Sequence, residues 1–284
     1  MGAYIAFDLW FAVTLNLAEK GANVIIVARD AGNLEKGIAF ISKGARRPDA
    51  QCFHYIRADV SIVIAEATEW GYGSPPDIVW CCSGSAHPTL FIKLRATPRV
   101  AAKDIQSHPA HHLIFTGSFI SFYSFAGFTP YSPSKAAVRA LSDSLSREMN
   151  LYAAAHLDLL RIRVNTVFLA TMPTRSLEGE NAVKTDLTMS LEEDDQILQP
   201  DECARQAIAG LDSGDELVPT STIIRLVMAY VMGGSVRGGF WKGLVSTMLG
   251  WITSVVMIFI RWDMDAKVGR WGKKHGSSGS LKHQ

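Results

Sequence analysis

The sequence predicts an α/β fold in which helices cover a parallel sheet. Short apolar runs rich in Val and Ile, such as residues 23–28 and 163–168, alternate with longer stretches of helical periodicity. This alternation is typical of parallel sheets, because each pair of parallel strands needs a long crossover connection that is usually a helix. Gly, Pro and Ser residues separate many of these runs and mark the turns between them.

The predicted elements follow one another along the first 220 residues. They are a helix at 11–20, strand 23–28, helix 33–43, strand 51–56, a short helix at 62–70, strand 77–82, strand 113–116, a helix after residue 133, strand 163–168, helix 201–211 and strand 216–218. Gly21 suits the end of the first helix, and Pro133 suits the first turn of the helix that follows it.

Composition sets broad limits on the function. The chain has 284 residues, enough for a large domain with an appendage, and 48% of them are hydrophobic. A net charge of +1 gives no argument for a nucleic-acid partner. The four cysteines lack the spacing of metal ligands, so no metal site is predicted.

Three polar residues form the strongest candidate site. Tyr131 and Lys135 are four positions apart, which places both side chains on one face of a helix. An ammonium close to a phenol favours the phenolate and lowers the pKa of the tyrosine. Ser118 follows an apolar strand, where its hydroxyl could hold a carbonyl oxygen for protonation. The alternative is a helix-start aromatic, a solvated lysine and a turn serine without a shared role.

The spacing of these residues resembles the active site of the short-chain dehydrogenase/reductase family. The resemblance covers residues 10–220 and is strongest to the reductases of 3-ketodihydrosphingosine, through passages at 77–84, 127–141 and 178–185. It implies a Rossmann-like doubly wound parallel sheet and NADPH-dependent reduction of a long-chain sphingoid ketone in sphingolipid synthesis. By this resemblance Ser118 orients the ketone and Tyr131 donates the proton. Lys135 lowers the pKa of Tyr131 and, with it, contacts the cofactor.

The residue after the strand at 23–28 predicts the preferred cofactor. By the resemblance, this strand is the second strand of the family fold. In a dinucleotide-binding sheet an acid there binds the ribose hydroxyls, whereas an arginine accommodates a 2′-phosphate. Arg29 stands at this position and favours NADPH, although an ordinary surface arginine is the alternative. The resemblance also implies cofactor contacts from Asn33, Asp59 and Thr174. Asp59 could instead cap the next helix.

The sequence also departs from the family pattern. Residues 1–10 contain no TGxxxGxG turn, and no Asn occurs between Asn33 and Asn150, where the family carries a fourth catalytic residue. We therefore expect a sheet that lacks its first strand and its glycine-rich phosphate-binding turn. Without this turn we expect the chain to bind NADPH very weakly or not at all. The alternatives are a reductase of another lipophilic ketone, such as a steroid or retinoid, and a catalytically inactive fragment.

The remaining residues, 221–284, predict a membrane-associated segment that follows a catalytic domain at 1–220. Residues 243–260 are uncharged, and this length is at the lower limit for a spanning helix. A spanning helix, an interfacial helix and a buried C-terminal helix all stay open. Flanking tryptophans and a basic tail suit contact with membrane lipid. With the implied substrate, we expect the endoplasmic reticulum membrane, a catalytic domain facing the cytosol, and a chain able to form a homo-oligomer.

Overall fold

A computed structural model describes residues 7–28, 30–57, 67, 70, 76–81, 110–129, 131–155, 161–173, 177, 181, 184–193, 195 and 197–276. Thirteen helices and strands within these ranges are used below. They are α1 (Phe7–Glu19), β1 (Val24–Ala28), α2 (Ala31–Ile41), β2 (Phe53–Arg57), β3 (Ile78–Cys81), β4 (His111–Ser118), α3 (Ser132–Ala155), β5 (Ile162–Leu169), α4 (Asp186–Leu191), α5 (Pro200–Asp212), β6 (Leu217–Pro219), α6 (Thr222–Met232) and α7 (Phe240–His275).

The predicted parallel α/β fold is confirmed, but the strands divide into two sheets. β1 pairs with β2 in parallel, with Val24 opposite Phe53. The other four strands form a second parallel sheet in the order β3-β4-β5-β6. Among the residues that the structure describes, no strand pairing joins one sheet to the other.

Helix α1 packs against the cores of both sheets. Near its middle, Ala12 and Val13 belong to the buried cluster of the four-stranded sheet, together with residues such as Ile114. Near its end, Ala18 belongs to a second cluster around Ile26 of β1. The two halves of the domain are therefore joined by side-chain packing on one helix.

The C-terminal part forms a helical hairpin that packs on the domain. Ser221 caps α6 by accepting a hydrogen bond from the backbone N–H of Ile224, and α6 then buries Ile224 and Met228 against Phe168 of β5. Helix α7 has 36 residues, twice the length of the uncharged segment seen in the sequence. Its charged second half continues the helix, with ion pairs four residues apart such as Asp263–Lys267 at 3.2 Å.

One helix of the structure was not predicted, and two predictions are not tested by it. Helix α6 was not predicted, although Pro219-Thr220-Ser221 marks a break before its apolar sequence and supplies the N-cap. Most of the helix predicted at 62–70 lies outside the described residues. The division into domains at 1–220 and 221–284 stays a prediction.

Candidate active site

Ser118 ends β4 at the carboxyl edge of the four-stranded sheet. Its backbone is extended (φ −151°, ψ 162°), and a 3₁₀ turn at Phe119–Ser121 follows directly. The Ser118 hydroxyl accepts a hydrogen bond from the N–H of Ile120 at 3.5 Å. The Ser121 hydroxyl accepts one from the N–H of Ser118 at 3.3 Å. This reciprocal capping fixes the serine at the point where the strand stops.

Tyr131 and Lys135 meet this edge of the sheet from the start of α3. The carbonyl of Tyr131 accepts the N–H of Lys135 at 3.2 Å, the first bond of the helix. The Lys135 ammonium donates to the carbonyl of Thr116 at 3.3 Å and lies 5.6 Å from the centre of the Tyr131 ring. Since Thr116 is two residues before Ser118, the structure brings together the strand end and the helix start that carry all three predicted residues.

Aromatic side chains cover the loop between Ser118 and Tyr131. The rings of Phe122 and Phe168 are 4.5 Å apart, and those of Phe128 and Tyr131 are 6.2 Å apart. The Arg139 guanidinium of α3 lies 5.4 Å from the centre of the Phe122 ring. The loop is therefore held against both β5 and α3, which limits its freedom around the tyrosine.

Helix α4 packs against the same loop just before Tyr131. The hydroxyl of Thr188 donates to the carbonyl of Ala126 at 3.5 Å. A Cβ at Gly127 would collide with the Thr188 side chain, and Gly127 has φ +97°, so glycine is required there. This close approach places α4 at one wall of the candidate site.

A buried ion pair fixes the segment that carries α4. The Lys184 ammonium lies 2.6 Å from the Glu192 carboxylate, and their side chains are only 7% and 17% exposed. Lys184 also lies 5.4 Å from the centre of the Phe128 ring. Sequence reasoning missed this pair, because an acid eight residues after a lysine has no helical or strand spacing that would signal a contact.

A cavity of about 190 Å³ opens beside this segment, beyond the end of β5. It is lined by polar Thr171, Glu192 and Asp195 and by apolar side chains that include Met189 and Ile197. β5 is the strand next to β4, with Leu169 opposite Ser118. The cavity therefore lies on the side of the sheet where the three candidate residues meet.

The predicted cofactor contacts are less completely described. Arg29, Asp59 and Thr174 lie outside the described residues. β1 ends at Ala28, as predicted, directly before Arg29. Asn33 lies in the first turn of α2, where its backbone N–H and its side-chain amide both donate to the carboxylate of Asp30, at 3.1 and 3.2 Å. Asn33 thus takes part in the helix cap, and a role toward phosphate stays a prediction.

Comparison with known proteins gives one consistent family. The short chain dehydrogenase family matches residues 96–185. The 3-ketodihydrosphingosine reductase ksrA of Aspergillus fumigatus is 35% identical over 93% of this chain and 82% of its own length. The 3-ketodihydrosphingosine reductase gsl-3 of Neurospora crassa is 33% identical over 93% of this chain and 80% of its own length.

Solved structures share the fold. The short-chain dehydrogenase from Sphingobium yanoikuyae in complex with NADPH superposes with a TM-score of 0.52 and 20% identity, over 75% of this chain and 84% of that one. The RhlG/NADP active-site complex of Pseudomonas aeruginosa gives a TM-score of 0.54 and 19% identity, over 74% and 90%. Because ksrA and gsl-3 are 35% and 33% identical over 93% of this chain, the protein belongs to the short-chain dehydrogenase family of oxidoreductases.

Proposed function

We propose that the protein reduces the 3-keto group of 3-ketodihydrosphingosine to the alcohol, with NADPH as the cofactor. The observation that supports this most is the meeting of Lys135, the Tyr131 ring and the strand that ends in Ser118. The reductases ksrA and gsl-3 carry the name of this substrate and match almost the whole chain.

Reduction of a ketone adds a hydride to the carbonyl carbon and a proton to its oxygen. A bound nicotinamide dinucleotide would supply the hydride. In our proposal the Tyr131 hydroxyl donates the proton, and the Ser118 hydroxyl donates a hydrogen bond that holds the carbonyl oxygen next to Tyr131. The Lys135 ammonium, 5.6 Å from the Tyr131 ring, stabilises the phenolate that remains.

The described residues fit a nicotinamide dinucleotide at the reacting end. In our proposal the Lys135 ammonium, which donates to the carbonyl of Thr116 at 3.3 Å beside the strand end that carries Ser118, also contacts the nicotinamide ribose, as the family resemblance implies. At the adenosine end we propose Arg29 as the ligand of the 2′-phosphate. Asp59, Asn33 and Thr174 remain proposed contacts at the cofactor.

The cellular location follows from the proposed lipid substrate. We place the protein on the endoplasmic reticulum membrane with the catalytic domain facing the cytosol. Free thiols at Cys52, Cys81 and Cys203 fit a reducing compartment. Burial raises the pKa of the Cys203 thiol, so this residue serves as a small core side chain. Association into a homo-oligomer stays an expectation.

The cofactor assignment is tested by comparing kcat/KM with NADPH and NADH in the wild type and in Arg29→Asp. We expect the wild type to prefer NADPH. Loss of charge-assisted hydrogen bonds to the phosphate should lower kcat/KM for NADPH roughly 10- to 100-fold in the variant. Arg163→Asp is the control, because Arg163 is an exposed arginine near the start of β5, at the other end of the strands from Arg29. A wild type that prefers NADH would contradict the assignment.

A further inference from the structure

Helix α7 presents a broad apolar surface that nothing in the described chain covers. Six side chains on its outer face are between 61% and 74% exposed: Trp241, Val245, Met248, Trp251, Ile252 and Phe259. We call these six residues the outer face of α7. Lys242 is the only charged residue between Phe240 and Ile260. A continuous apolar surface of this kind marks a binding site for a membrane or another protein.

The opposite face of α7 is fixed to α6. Most of its buried positions are small, and they include Gly243, Ser246 and Gly250. A Cβ at Gly250 would lie 2.5 Å from the carbonyl of Ala229 in α6, so the two backbones approach as closely as glycine allows. Because α6 in turn packs on β5, the outer face is directed away from the catalytic domain.

The start of α7 is tied to the end of the domain opposite the candidate active site. Lys242 forms an ion pair with Asp215, in the loop before β6. In the turn between α6 and α7, the Arg237 guanidinium donates to the carbonyl of Val164 at 3.0 Å, near the start of β5. It also lies 3.4 Å from the carboxylates of Asp143 and Glu216.

The other end of the apolar stretch returns to the same domain. Helix α4, which forms one wall of the candidate active site, packs against α7. The charged residues Arg261 and Asp265 of α7 act electrostatically on Tyr123, which lies in the loop after Ser118. Burial raises the pKa of Tyr123, the Asp265 carboxylate raises it further, and Arg261 opposes this effect. The apolar stretch therefore begins and ends beside one αβ domain.

These two attachments decide between the membrane arrangements left open by the sequence. A helix that crosses a bilayer places its ends on opposite sides of a hydrocarbon layer about 30 Å thick. Residues 243–260 extend only about 27 Å. Asp215 pairs with Lys242 at their start, and Arg261 and Asp265, just past their end, act on Tyr123 of the same αβ domain, which also packs helix α4 against α7. We infer that α7 lies along one leaflet of a lipid bilayer, with its outer face in the membrane, and does not cross it.

The charged and aromatic residues of α7 indicate that its outer face binds a lipid bilayer and not a second copy of the chain. Trp241 and Trp262 are each 73% exposed near the two ends of the apolar stretch, where tryptophan favours the lipid interface. Arg270, Lys273 and Lys274 follow on the same helix and can meet anionic headgroups. A protein partner would not need this basic extension beyond the apolar surface.

Membrane binding is tested by flotation with vesicles of phosphatidylcholine and phosphatidylserine. We expect the wild type to float and Ile252→Asp to bind at least tenfold more weakly, because the variant puts a carboxylate into the outer face. Leu151→Asp on α3 is the matched control. Leu151 is 72% exposed and Ile252 is 69% exposed, so both variants change a similar surface. Equal flotation of the two variants would overturn the inference, and so would a wild type that pairs with itself and does not float.

Orientation is tested separately in sealed microsomes with a membrane-impermeant maleimide. Ser235→Cys precedes α7 and Lys273→Cys lies in its last turn, and both positions are exposed. The parent protein gives the background from its native thiols. We expect both new cysteines to be labelled from the outside without detergent. Labelling of only one of them would show a spanning helix and overturn the inference.

A consequence for substrate entry rests on the proposed function. Since α4 lies between the loop before Tyr131 and α7, the candidate site opens next to the membrane surface. Ile252→Asp should therefore slow the reduction of a long-chain ketone in vesicles severalfold and leave that of a soluble short-chain analogue unchanged. If the wild type reduces neither ketone, the proposed function fails, and the flotation and labelling results still decide the membrane arrangement.

Discussion

The four-stranded and two-stranded sheets differ in what they contribute to the site. The four-stranded sheet carries a continuous register of eight residue pairs between β4 and β5, and it positions Ser118 directly and Lys135 through Thr116. The two-stranded sheet has five pairs and places β1 just before Arg29, the residue proposed to select the cofactor. Within the described ranges, proposed catalysis and proposed cofactor selection thus belong to two sheets that no strand pairing joins.

Helix α1 links the two sheets through side-chain packing. Its contacts with the four-stranded core come from Ala12 and Val13, and its contact with the two-stranded core comes from Ala18. Packing of side chains is less directional than a ladder of hydrogen bonds. The comparison predicts that the halves respond differently to substitutions, which three experiments can test.

The largest expected effect comes from the tyrosine at the catalytic half. Tyr131→Phe removes one hydroxyl, and loss of a general acid lowers kcat about 10²- to 10⁴-fold. Tyr55→Phe in β2 is the control, because its hydroxyl makes a long hydrogen bond of 3.4 Å to Glu35 on an exposed surface. Steady-state reduction of the ketone with NADPH is the measurement. A Tyr131→Phe variant that keeps nearly full kcat would show that another group donates the proton.

The second experiment compares the cores of the two sheets. Ile26 and Ile114 are 1% and 2% exposed, and replacing either with alanine should cost about 2–5 kcal/mol of unfolding free energy. In native-state hydrogen exchange, Ile26→Ala should deprotect the amides of β1 and β2 and spare those of β4 and β5. Ile114→Ala should deprotect β4 and β5. Equal deprotection of all six strands by both variants would show that the halves unfold as one unit.

The sequence predicted all six strands that the structure describes, because their apolar runs are short and separated by clear turn residues. The three candidate residues were singled out by their spacing, because Tyr131 and Lys135 share the start of one helix and Ser118 ends an apolar strand thirteen residues before Tyr131. Their catalytic roles stay a prediction. These signals lie within one short segment of the chain, so no knowledge of distant contacts was needed.

The features that were not predicted depend on distant contacts. The separation of the strands into two sheets reflects pairing partners, which a single strand sequence does not specify. The Lys184–Glu192 pair and the anchoring of Arg237 to Val164 join segments with no shared periodicity. Helix α7 was underestimated because its second half is charged, whereas the prediction followed hydropathy.

The smallest expected effect concerns the ion pairs at the edges of the two halves. Arg237, whose side chain is 14% exposed, belongs to the four-stranded half, and burial lowers its pKa while Asp143 and Glu216 raise it. Lys20 at the end of α1 pairs with Asp212 of α5 at 2.6 Å, with side chains 52% and 59% exposed.

Arg237→Met should cost roughly 1.5–3 kcal/mol of unfolding free energy, because it removes hydrogen bonds from a charged donor and leaves two carboxylates without their partner. Lys20→Met should cost less than about 1 kcal/mol, since water screens an exposed pair. Urea unfolding in detergent at low and high salt measures both values. Only the small Lys20 effect should shrink clearly in high salt, because the buried contacts of Arg237 are shielded from ions. If the Lys20 variant is the more destabilised, the link through α1 depends on charge and not on the packing of Ala12, Val13 and Ala18.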